Sequence, residues 1–121
     1  MKTDNLNTLA LAYLGDSVYE LYIREYLLKK GIQKVNILQK EAIKYVSAKN
    51  QTLILDKIKE YLSEEEVEIV KKGRNTKSHK APKNTDILTY KHATGFETLI
   101  GYLYINDQSR LEEIMNKILE D

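Results

Sequence analysis

Residues 9–28 read LALAYLGDSVYELYIREYLL and residues 91–107 read KHATGFETLIGYLYIND. Both stretches are helical in pattern and apolar nearly all round, which predicts two helices buried at the centre of a bundle rather than laid on its surface. Each carries one conspicuous charge. Asp16 is the only charge between Asp4 and Glu20, and Glu97 the only one between Lys91 and Asp107. An unpartnered carboxylate in such a setting costs roughly several kcal/mol. Neither helix offers a cation on the matching face, and Glu20, one turn after Asp16, adds a like charge. A divalent cation is the natural partner for such a group. Gly15 adjoins Asp16, and Gly95 lies two residues before Glu97. A helix-interior glycine costs about 1 kcal/mol relative to alanine, and it lets another backbone approach closely. If the two helices cross at these glycines, the carboxylates face one pocket. The residues alone leave a second reading open, in which each carboxylate faces solvent at a helix edge or takes a hydrogen bond from a tyrosine.

Outward from these helices the periodicity stays helical. The first helix is expected over about 8–30, capped by Asn7 or Thr8 and stopped by Gly31. A second runs from about Val35 to Val46, with Val35, Leu38, Ala42, Ile43 and Val46 as its apolar face. A third covers about Lys49 to Leu62, with Leu53, Ile54, Ile58 and Tyr61 inward. Ser63 followed by Glu66 is a capping-box signature for a fourth helix over about 64–72. Residues 73–85 contain Gly73 and Pro82 and read as a loop. Thr85 or Asp86 caps a fifth helix over about 87–106. Ser109 caps a sixth over about 110–119, with Leu111, Ile114, Met115 and Ile118 inward. The expectation is an all-α fold of about six helices, one domain over 1–121.

Composition narrows the function. The chain has 121 residues, one proline and no cysteine, so disulfides, zinc ribbons and thiol catalysis are excluded. The longest charge-free run, Asn5 to Gly15, is too short to span a bilayer. No signal-peptide pattern is present, and a cytoplasmic protein with no membrane contact is expected. The formal net charge is only +1, yet residues 71–83, KKGRNTKSHKAPK, carry six lysines and arginines and no acid. Such a segment points to a polyanionic partner.

At Asp16 and Glu97 the sequence becomes recognisable. Leu14, Gly15, Asp16, Ser17 and Val18 resemble the signature helix of the ribonuclease III endonuclease domain. Phe96, Glu97, Leu99, Ile100 and Gly101 resemble that family's second catalytic helix. Together with GRNTKSHKAPKNTD between the two motifs, the chain is similar to the short bacterial Mini-ribonuclease III subgroup, which has no double-stranded-RNA-binding domain. The resemblance implies a homodimeric helical fold and Mg²⁺-dependent hydrolysis of double-stranded RNA. It further implies maturation of the large-subunit (23S) ribosomal RNA precursor, with a ribosomal protein as a further partner. It assigns Asp16 and Glu97 as catalytic residues and metal ligands. The family's usual acids four residues before the aspartate and three before the glutamate are here Ala12 and Thr94.

Glu20 is placed to orient a water at the metal, and equally suits a surface charge. His79 and His92 fit structural or solvent roles. RNA contact is expected from Arg74, Lys77, Lys80 and Lys83 on phosphates and from Asn75 and Asn84 on polar groups. The alternative class is a non-catalytic RNA-binding or ribosome-assembly module on the same scaffold.

Overall fold

The computed structural model describes residues 7–76 and 86–120. Among these residues the fold is all-α. It comprises α1 (Thr8–Lys29), α2 (Val35–Val46), α3 (Ala48–Ile58), a 3-10 turn (Lys59–Tyr61), α4 (Glu64–Asn75), α5 (Ile87–Asn106) and α6 (Gln108–Leu119). No helix among the described residues is long and apolar enough to cross a membrane.

Local chemistry sets the ends. Asn7 Oδ1 accepts from the Leu9 amide at 2.7 Å and starts α1. Gly31, at φ +95°, ends it, with its amide on Leu28 and that of Ile32 on Leu27 in a Schellman arrangement. Ser63 and Glu66 form the expected capping box of α4. Asp86, rather than Thr85, caps α5 through the Thr89 amide.

Three boundaries depart from expectation. The helix of residues 48–58 gives way to a 3-10 turn instead of continuing to Leu62, a common tightening of a last turn. α6 starts at Gln108 because Asp107 caps it, accepting from the Arg110 amide at 3.1 Å, and Ser109 falls inside the first turn. α4 continues through Gly73, Arg74 and Asn75 rather than ending near residue 72. Gly73 is no helix stop. It is buried against α5, where an added Cβ would lie 2.8 Å from Thr98 Cβ and 2.9 Å from Gly95 Cα.

α5 is the central helix, and it touches α1, α3, α4 and α6. Its buried residues run almost continuously from Ala93 to Leu103, as an all-round apolar pattern requires. α1 is different. It buries one stripe, Leu11, Ala12, Gly15, Val18, Tyr19, Ile23 and Leu27. Its opposite face leaves Tyr13 85%, Leu21 65% and Leu28 54% exposed. The expectation of full burial therefore holds for α5 and fails for α1.

The two flanking helices are also turned from expectation. On α2, Leu38, Ala42 and Val46 pack partly against the core while Val35 and Ile43 are exposed. On α3 the inward stripe is Gln51, Leu55 and Ile58, and Leu53 faces out. α6 packs Leu111, Ile114, Met115 and Ile118 inward as expected. Arg110 then fastens α6 to α4, with Nε and Nη2 each 2.8 Å from the buried Glu66 carboxylate. That guanidinium holds the Glu66 carboxyl below its usual range.

Candidate active site

The site follows from the crossing of α1 on α5. A Cβ on Gly15 would run into the Glu97 carbonyl and would lie 2.8 Å from the Gly101 amide nitrogen. A Cβ on Gly101 would likewise strike the Leu11 carbonyl. Two facing glycines thus let the backbones touch, and the residue after Gly15 meets the residue whose carbonyl Gly15 covers. The crossing uses Gly101 and not Gly95. Gly95 instead serves the α4–α5 contact, where its added Cβ would lie 2.6 Å from the Val70 carbonyl oxygen.

The result is a carboxyl pair. Glu97 is half-buried and Asp16 is exposed, so the buried setting expected from sequence applies to Glu97 alone. Burial, together with a hydrogen bond to Asp16 and its charge, pushes the Glu97 carboxyl up to about 8. Two carboxyls that meet on facing helices form a group of oxygen donors that a cation can occupy. Among the described residues no cluster of three or more His, Asp or Glu converges on one point. Among the described residues the acids at this point are Asp16 and Glu97. Ala12 and Thr94, where the resemblance implies two further acids, are both buried, and Thr94 Oγ1 donates to its own helix at Tyr90 O, 2.9 Å away.

Two further groups shape the surroundings. Glu20 does not turn to the pair but reaches Arg24 at 3.3 Å. Gln51, absent from the sequence reading, is 2% exposed, and its Nε2 donates to Glu97 Oε2 at 3.4 Å and to Val46 O at 3.1 Å. The signal for it was the 51, 55, 58 spacing of α3, a helical stripe whose first member is an amide.

Arg74 and Asn75 sit in the last turn of α4, so they are helical rather than loop residues. Arg74 lines a cleft of about 380 Å³ with Lys71, Lys59, Asp56, Thr52 and His92. Its other walls are apolar, Leu53, Leu55, Leu62, Val67 and Val70, and neither Asp16 nor Glu97 lines it. Lys77, His79, Lys80, Lys83 and Asn84 lie outside the described residues.

The raised Glu97 carboxyl has a consequence for stability. Its ordinary value is 4.5, so between there and about 8 the folded chain holds a proton that the unfolded chain has released. Stability of metal-free protein should therefore fall as pH rises through that window, by on the order of 1–3 kcal/mol. Glu97→Gln should flatten the trend and be the more stable protein above pH about 8. Urea unfolding in chelator across this pH range measures both, and parallel wild-type and variant curves would contradict the assignment.

Residues 9–108 match the family described as Ribonuclease III domain. A Mini-ribonuclease 3 from Clostridium tetani is 49% identical over 94% of this chain and 77% of its own length. One from Enterococcus faecalis is 52% identical over 92% of this chain and 86% of its own. A crystal structure of a Fusobacterium nucleatum protein superposes with a TM-score of 0.84 at 35% identity, covering 98% of this chain and 97% of that one. With the helix crossing, the carboxyl pair and these relatives in agreement, the chain belongs to the ribonuclease III family, in its Mini-ribonuclease 3 branch.

Proposed function

We propose that Asp16 and Glu97 are the catalytic, metal-holding residues of this endoribonuclease, with Mg²⁺ as the ion and 23S ribosomal RNA precursor as the substrate. Endoribonucleolytic cleavage of double-stranded RNA is the activity of the family to which the chain belongs. The observation that carries the site is the carboxyl pair. Burial and the neighbouring Asp16 carboxyl together push Glu97 up to about 8, so it holds its proton at neutral pH, and a dication beside Asp16 reverses that preference. An all-oxygen donor set suits a hard ion such as Mg²⁺.

Each side chain then has a task. Glu97, half-buried and anchored by Gln51, is the fixed ligand. Asp16, on the open side, is the ligand that faces incoming RNA. With Ala12 and Thr94 contributing no charge, Asp16 and Glu97 would be the acids that hold the ion, and bound RNA would strengthen that hold. Held there, Mg²⁺ would supply Lewis-acid chemistry for hydrolysis of a phosphodiester. Glu20, paired with Arg24 on the surface, remains within one helical turn of Asp16 and is available for a supporting polar contact.

RNA is held by the basic stretch that begins in the last turn of α4. Arg74 and Asn75, followed by Lys77, Lys80, Lys83 and Asn84, present cations and amides to the phosphates and 2′-hydroxyls of a duplex. The exposed Tyr13, Leu21 and Leu28 on α1 form the apolar face of a homodimer, since a single chain leaves them in water. Under this reading the protein works in the cytoplasm on precursor RNA that carries a ribosomal protein.

Asp16→Asn and Glu97→Gln should each abolish cleavage of duplex RNA in Mg²⁺ while leaving the circular dichroism spectrum unchanged. Wild-type rates in either variant would refute the site.

Replacing Arg74, Lys77, Lys80 and Lys83 together with alanine should weaken duplex binding and lower the slope of log affinity against log salt by about 0.7–0.9 per lost phosphate contact. Cleavage should persist at high RNA concentration. An unchanged slope would move the binding surface elsewhere, towards Lys40, Lys44 and Lys49.

The wild type should sediment as a dimer at micromolar concentration and Leu21→Glu as a monomer. A monomeric wild type would remove the dimer from this reading.

A further inference from the structure

Among the described residues Gln51 is the buried side chain that hydrogen-bonds to the carboxyl pair from a third helix, and its hydrogen bonding is one-sided. The Nε2 amine has two acceptors, Val46 O at 3.1 Å and Glu97 Oε2 at 3.4 Å. Oε1 is buried and has no partner among the described residues. An unsatisfied buried acceptor costs about 1–3 kcal/mol, so its orientation needs a reason. Turning the amide over would not help. A carbonyl such as Val46 O can only accept, and flipped Gln51 would set its own oxygen against that carbonyl and against a carboxylate oxygen. Val46 therefore dictates which end of the amide Glu97 meets.

The surrounding corner makes that dictation firm. α2 ends at Val46, so its last carbonyls have no partners within the helix. Tyr19 Oη donates to Tyr45 O at 3.0 Å, Asn50 Nδ2 to Ile43 O at 3.3 Å, and Gln51 to Val46 O. Ser47 caps the start of α3 through the Asn50 amide. Tyr19 is in turn packed edge-on against Phe96, the residue before Glu97, with ring centroids 4.9 Å apart. Gln51 is thus held by a corner that is itself tied to both carboxylate-bearing helices.

We propose that Gln51 is a positioning residue for the metal site, holding Glu97 Oε2 by its amide so that Oε1 of Glu97 is turned to the ion, and offering its own unpartnered oxygen to a water at that site. This rests on Asp16 and Glu97 being the metal-holding pair. The free oxygen of Gln51 lies on the same buried side chain as the amine, and a water donating to it would remove the unmet acceptor. The Glu97 contact spans 3.4 Å, the longer of the two that the amide nitrogen makes.

The test is Gln51→Met, which keeps the volume and removes both the donor and the stranded acceptor. Mn²⁺ alone, without RNA, is titrated into wild type, Q51M and E97Q and followed by electron paramagnetic resonance; kcat and KM for a duplex RNA are measured in Mg²⁺. Q51M should stay folded, bind Mn²⁺ about tenfold more weakly or worse, and lose kcat with KM within about twofold. E97Q should lose Mn²⁺ binding. A folded Q51M with Mn²⁺ affinity and kcat within twofold of wild type overturns the role of Gln51. Retained Mn²⁺ binding in E97Q overturns the site itself, and the proposal with it. If Q51M does not fold, Gln51→Asn replaces it under the same thresholds, because its amide is one methylene too short to reach both acceptors.

Discussion

The rest of the structure depends on the contact of α1 with α5 at Gly15 and Gly101. Helix axes ordinarily stay about 8–10 Å apart because side chains separate them. Two opposed glycines remove that separation locally and let the Gly15 position rest on the Glu97 carbonyl. A carboxylate on the next residue of α1 is then within hydrogen-bonding reach of the Glu97 side chain. A methyl group at either glycine would drive the backbones apart and separate the two acids. The cost of helix-interior glycine is the condition for the pair to exist.

A second small-residue crossing, Gly73 on Gly95, packs α4 against the same central helix one and a half turns earlier. It explains why α4 continues past residue 72 and why Arg74 is helical. The basic end of α4 is therefore fixed relative to Glu97 by backbone contact rather than by a long side chain. Glu66 and Arg110 hold the other end of α4 to α6. Polar and close-packed contacts together make α5 an axis to which each chemically important side chain is referenced.

α1 shows how one helix serves two environments. Its inner stripe packs on α5 and its outer face keeps Tyr13, Leu21 and Leu28 in solvent beside the exposed Asp16. In the proposed dimer those side chains leave water, which accounts for an apolar pattern broader than a single core of this size can absorb. Burial in one chain and association between two chains use the same residue types, so the pattern alone does not separate them.

The sequence by itself determined the all-α class, the cap at Ser63, the stop at Gly31 and the two charges that interrupt apolar helices, and it narrowed the caps of α1 and α5 to two residues each. Those features are local: a cap, a positive-φ glycine or a lone carboxylate in a 3.6-residue pattern is legible within one or two turns. The family resemblance came from the same two segments and pointed to Asp16 and Glu97. Only the tertiary structure decided that Gly15 meets Gly101 rather than Gly95, that Asp16 is exposed while Glu97 is half-buried, and that α3 turns Gln51 inward and Leu53 outward. The reason is that a helical stripe fixes which residues share a face but not which neighbour that face meets. A one-residue rotation of α3 leaves its apolar periodicity nearly unchanged, yet it exchanges a leucine for the amide that reaches Glu97.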